Sequence, residues 1–131
     1  MLVQAPVSLG ELVDKMTILE IKSQQIKDPQ KLANVSHELN VLQAVLINVL
    51  TEPQQLELQP LKNQLKQVNA KLWDIEDDIR DCERAKDFGQ TFIQLARAVY
   101  VTNDQRADLK KDINLKFGSA IVEEKSYQSY Q

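Results

Sequence analysis

Asn69, Trp73, Glu76, Arg80 and Glu83 follow one another at steps of three and four, the spacing that stacks side chains along one side of a helix. An amide, an indole, two acids and a guanidinium on one stripe allow two chemistries. Glu76 and Arg80, acid first and four apart, suit a surface ion pair worth only about 0.3–0.5 kcal/mol. The same groups also suit the wall of a binding site, because a half-buried indole needs an acceptor for its N–H. The residues alone leave both readings open.

Two further sets could join this stripe. Glu11, Asp14, Lys15, Ile18 and Lys22 share one side of an N-terminal segment. They form either a neutralised cluster near a helix start, where acids are favoured by the helix dipole, or one side of a charged pocket. Arg97, Tyr100, Asn103, Arg106, Lys110 and Asn114 follow at helical spacing in the C-terminal third. Arg106 can grip an anion bidentately and Lys110 as a point charge. Asp104, Asp108 and Asp112 offer local balance, so Lys110 in particular reads as a solvated residue.

Other chemistries find less support. Asp74, Glu76, Asp77, Asp78 and Asp81 supply oxygen enough for Mg²⁺, but they point around most of a helix and no more than two or three can share an ion. With one histidine, His37, and one cysteine, Cys82, a zinc site of the usual kind is not expected. No cofactor is expected. There is no glycine-rich phosphate loop, and Cys82 reads as a buried, inert thiol in a reducing, cytoplasmic setting.

The elements that must carry these groups are helices. Leu58, Leu61, Leu65, Val68, Leu72, Ile75, Ile79 and Cys82 form an unbroken apolar seam, which requires a partner helix. Trp73, Glu76 and Arg80 lie on its shoulder. Ser8-Leu9-Gly10-Glu11 is a capping-box pattern that starts a first helix, running to about Lys27 before Asp28-Pro29 stops it. Its apolar residues, Leu12, Val13, Met16, Ile18, Leu19, Ile21 and Ile26, go most of the way round, as in a helix surrounded by others. Asp28 caps a second helix with Pro29 in its first turn, and its seam is Leu32, Val35, Leu39, Leu42, Leu46 and Val49. Thr51-Glu52-Pro53 breaks the chain, and the third helix starts either there or at Pro60; a turn or short helix first, then the long helix from Pro60 to about Arg84, is the favoured reading. A fourth buries Phe92, Leu95, Ala96 and Val99. Thr102-Asn103-Asp104-Gln105 repeats the capping pattern, which predicts a kink or restart before Leu109, Ile113 and Phe117, with Gly118 as the stop. Residues 119–131 show no helical period and are expected to run extended, pinned by Ile121, Val122 and Tyr127.

The expected fold is therefore one all-α domain over 1–131: an antiparallel bundle of four to five helices, long and heptad-patterned, with an extended C-terminal tail. A formal charge of −3 on 131 residues, with no basic block, argues against nucleic acid. The most apolar stretch, Val41–Leu50, is interrupted by Gln43 and Asn48 and is too short to insert into a membrane. The surrounded first helix suggests self-association as a homodimer.

Several blocks resemble an uncharacterised bacterial and phage family of small helical domains, a domain of unknown function. They are residues 6–22 (PVSLGELVDKMTILEIK), 72–80 (LWDIEDDIR), 92–100 (FIQLARAVY), 103–107 (NDQRA), and Gly118-Ser119 through Val122–Tyr127. The resemblance implies that Glu11, Asp14, Lys15, Trp73, Glu76, Arg80, Tyr100, Asn103, Arg106 and Lys125 are the family's polar positions, and it suggests a link to cell-surface polysaccharide synthesis. It implies no activity. The expected function is a cytoplasmic accessory or binding protein taking an anionic small molecule, a phosphorylated sugar or nucleotide. The ligand-binding residues would be Glu11, Asp14, Lys15, Trp73, Glu76, Arg80, Tyr100, Asn103 and Arg106. One alternative is a Mg²⁺-dependent hydrolase. Glu11-x-x-Asp14 is similar to one metal motif of the all-α nucleotide pyrophosphohydrolases, although their Glu-x-x-Glu has no counterpart at a suitable distance. A structural helical interaction module is the other.

Overall fold

The computed structural model describes residues 1–130. They form four helices: α1 (Leu9–Gln25), α2 (Pro29–Val49), α3 (Glu52–Ala85) and α4 (Gln90–Lys116). Among the described residues there is no strand. None of the helices is long and apolar enough to cross a membrane.

Local chemistry sets most of the boundaries. Ser8 Oγ accepts from Glu11 N–H at 3.0 Å and caps α1. Only half of the expected capping box forms, because the Glu11 carboxylate is drawn to Lys110 Nζ on α4, 2.5 Å away. Asp28 caps α2 through Gln30 N–H, with Pro29 in its first turn.

The third helix takes the earlier of its two candidate starts, not the favoured one at Pro60. It begins at Glu52, eight residues before Pro60, under a complete capping box between Thr51 and Gln54. Proline inside a helix removes the donor for the carbonyl four residues earlier. Here that residue is Leu56, 76 % exposed, where water can satisfy the carbonyl. The fourth helix also differs, running through Thr102 without a break. It pairs with α3 more extensively than any other two helices pair, and that packing overrides the local capping preference.

α3 and α4 turn back on each other after Lys86, whose left-handed backbone (φ 53°) ends α3, to make an antiparallel hairpin. Lys116 Nζ reaches the Glu57 carbonyl at 3.5 Å near its open end. The expected α3 seam lies buried or half-buried throughout. Two of the apolar positions expected inward on the helices are not: Val49 and Ala96 are exposed.

α1 packs against all three other helices, which accounts for its nearly continuous apolar surface. Val13 and Met16 join Leu46, Leu50, Leu58, Leu65 and Ile113 in one core. Its contacts move from one arm of the hairpin to the other. Gly10 N–H donates to Asn114 Oδ1 on α4 at 2.6 Å, Asp14 touches both arms, and Glu20 pairs with Lys62 on α3 at 3.0 Å. α1 is thus a bar laid across the hairpin. The approach at α4 is close enough that a Cβ on Gly10 would sit 2.4 Å from the Lys110 carbonyl oxygen.

Residues 119–130 have neither helix nor strand and return beside α4. Their anchors are polar, not the apolar residues expected: Ile121 and Tyr127 are exposed, and only Val122 is half-buried. Ser119 N–H bonds the Asn114 carbonyl at 2.8 Å, Glu123 pairs with Lys110 at 3.1 Å, and Lys125 pairs with Asp104 at 3.2 Å. Tyr130 stacks on Tyr100 with ring centres 5.2 Å apart. Gln131 lies outside the described residues.

Candidate functional site

Where α1 crosses the hairpin, one carboxylate organises the polar groups. Asp14 is 1 % exposed, a position no unpaired charge could hold. Arg106 from α4 donates to it twice, Nε to Oδ1 at 2.9 Å and Nη2 to Oδ2 at 2.5 Å. Asn69 Nδ2 donates to Asp14 Oδ1 and to Thr17 Oγ1, each at 2.9 Å. Thr17 in turn donates to the Asp14 carbonyl at 2.7 Å. Three helices meet at one charge: α4 grips it with a two-pronged guanidinium, the strongest geometry available to such a pair, and α3 reaches it through the Asn69 amide. These bonds to Asp14 hold the Arg106 guanidinium above its already high ordinary value, against the opposing effect of burial.

Directly beside this node lies a cleft of about 400 Å³ lined by Ile18, Asn69, Leu72, Trp73, Glu76, Asp77, Arg80, Asn103 and Arg106. The α3 stripe and the α4 face therefore do meet. Trp73 is half-buried, and its indole N–H donates to no group among the described residues. Arg80 bonds Glu76 through both the carboxylate and the main-chain carbonyl. Both partners are well exposed, with side chains at 63 % and 46 %.

The nine expected ligand residues divide between places. Trp73, Glu76, Arg80, Asn103 and Arg106 line the cleft. Asp14 lies behind it, spent on Arg106 and Asn69. Glu11 is outside it, in a separate cluster on the α4 side of α1. Tyr100 lines a different groove, of about 880 Å³, between α4 and the tail. Only Asn103 borders both. Lys15 is exposed to solvent and lines neither groove.

The separate cluster corrects the reading of Lys110 as a solvated residue. Its side chain is 16 % exposed, between Glu11 at 2.5 Å and Glu123 at 3.1 Å. Burial pulls the Lys110 pKa down, but bonds to these two carboxylates outweigh it and the net shift is upward. Glu123 accepts from Ser8 Oγ and Lys110, which together hold its carboxyl below the ordinary range although burial acts the other way. Spacing could not reveal Glu123 as the partner, since it lies in the stretch without a helical period. Asn69 and Asp77 stood in recognised patterns but were not among the expected ligand residues.

For metals, the Glu11-x-x-Asp14 pair does not present two ligands to one ion, because Glu11 faces Lys110 while both Asp14 oxygens are committed. Among the described residues no three of His, Cys, Asp and Glu converge.

A mostly enclosed ion pair beneath a mixed polar and aromatic cleft, on an all-helical scaffold, is the arrangement of a small helical domain with a candidate binding site. The chain belongs to the family of unknown function designated DUF6165, which matches residues 3–130. No curated protein and no solved structure matches it.

Proposed function

We propose that this protein binds an anionic small molecule, a phosphorylated sugar or nucleotide, in the cleft between α1, α3 and α4. The observation that carries the reading is Trp73. Its half-buried indole has no acceptor within the described chain, its N–H is open to solvent, and it shares the cleft with Arg80, so a ligand would find an apolar wall, an accessible donor and a cation. The same reading makes it a cytoplasmic accessory protein, consistent with a lone free cysteine, and retains the link to cell-surface polysaccharide synthesis that the family resemblance suggests.

A second property, self-association as a homodimer, is favoured by Val45 and Val49. They stand one helical turn apart on α2 and are 43 % and 57 % exposed. The Mg²⁺-dependent hydrolase is the weaker alternative, because Asp14 is already spent on Arg106 and Asn69.

A thermal-shift screen with phosphorylated metabolites, with and without Mg²⁺, tests the binding reading. A ligand should raise the wild-type Tm. Arg80→Ala should abolish that rise while leaving the ligand-free Tm within about 2 °C, as removal of an exposed pair implies. If Arg80→Ala instead lowers the ligand-free Tm substantially and no metabolite stabilises the wild type, the stripe is structural and the proposal fails.

A further inference from the structure

The cleft contains two arginines, and only one is available to a ligand. Arg106 is bound through two nitrogens to a carboxylate that is 1 % exposed. Withdrawing it would strand a buried charge. Arg80 is held by Glu76 on its own helix, with both side chains in contact with solvent. Exposed pairs of this kind contribute little and exchange readily.

We infer that the cleft takes a single phosphate-type group borne on an uncharged ring, and that binding transfers Arg80 from Glu76 to that phosphate. The inference rests on the reading of the cleft as a ligand site. With Arg106 neutralised by Asp14, the remaining charges are Arg80 against Glu76 and Asp77. One phosphate meets one cation. A second phosphate finds no free cation and faces carboxylates instead, each costing roughly threefold in affinity at about 6 Å in water.

The ring is required by what surrounds the cation. Trp73 offers an apolar face and an N–H donor, and Ile18 and Leu72 extend the apolar wall. Asn69 has given both amide hydrogens to Asp14 and Thr17, so only its oxygen remains to accept. Glu76, once released, is an acceptor as well. These groups suit a ring that brings hydroxyl or amine donors. Sugar monophosphates and nucleoside monophosphates share that chemistry.

Calorimetric titration of the full chain with inorganic phosphate, ribose 5-phosphate, AMP, ADP and ATP tests this. Because Trp73 is the only tryptophan, its emission gives a second readout with the non-absorbing probes. At least one monophosphate should bind more tightly than inorganic phosphate, and ADP and ATP should bind no more tightly than AMP. Comparing ribose 5-phosphate with AMP identifies the ring. Glu76→Gln, which frees Arg80, should tighten monophosphate binding about twofold, and Arg80→Gln should abolish it. Affinity that rises with phosphate number, inorganic phosphate binding as well as the esters, or Glu76→Gln weakening the complex would each overturn the inference while leaving an anion site in place. If no probe binds the wild type and Trp73 emission does not move, the cleft reading fails, and this inference with it.

Discussion

Arg106 and Arg80 border the same cleft, each against a carboxylate, yet they are different kinds of object. Arg106 crosses from α4 to a buried acid on α1, and its side chain is 30 % exposed. Arg80 folds back one turn on α3 and is 63 % exposed. Chemical identity is shared, and solvent access separates them. A buried pair is costly to assemble and costlier to break from one side. An exposed pair has water as a ready substitute for either partner. The first arginine therefore positions helices, and the second is free to exchange its partner.

The strongest way to break this comparison is Asp14→Ala. It leaves Arg106 without its carboxylate and Asn69 without one acceptor, and should destabilise the fold by about 3 kcal/mol, the lower end for one-sided removal because Arg106 can still reach water. Chemical denaturation measures this directly. A loss below 1 kcal/mol would mean that Asp14 is no more structural than Glu76.

Gly10→Ala probes the same junction without touching a charge. Its Cβ would meet the Lys110 carbonyl oxygen at 2.4 Å, and a main-chain atom cannot move aside as a side chain can. α1 must lift from α4, at a cost of about 1–3 kcal/mol. The Asp14–Arg106 bonds should lengthen in the variant's crystal structure. An unchanged midpoint of unfolding would refute so close an approach.

The smallest expected effect concerns the tail. Glu123 has a lowered pKa in the fold, so its contribution is present above the ordinary value of 4.5 and lost as pH falls through the folded value. Lys110 has a raised one, so its contribution is full below 10.5 and lost as pH rises through the folded value. Tail docking should therefore be strongest between these limits. Limited digestion near Lys125 should accelerate at either extreme, and Glu123→Gln should remove most of the acid limb. Digestion insensitive to pH would dissociate the tail from this cluster.

Much of this was legible in the chain. The α3 seam is visible because eight apolar residues repeat one spacing, and a helix that long has few other ways to bury them. The cleft's α3 and α4 stripes are legible for the same reason, as shoulders of packed seams. Pairing is a different matter. Asp14 and Arg106 each stand out as chemistry-bearing, but nothing local says that they belong together. Lys110 shows the cost of judging by neighbours in sequence. Asp104, Asp108 and Asp112 balance it by sequence proximity, whereas the acids it meets are Glu11 and Glu123. The start of α3 was obscured because Pro60 is a strong local signal and the exposure of Leu56, which makes it harmless, is a tertiary fact.

The separation of Asp14 from Arg106 along the chain, 92 positions, also governs how the molecule comes into being. A ribosome releases α1 long before the guanidinium that neutralises it. Until then α1 is an apolar rod carrying a charge it cannot bury, and no intermediate containing α1 and α2 alone can close over that carboxylate. The long-range contact that completes the node comes late, after α4 has emerged. Until α3 and α4 emerge, only the face of α1 that meets α2 can be covered, and the remaining apolar surface is what a holding chaperone would have to hold.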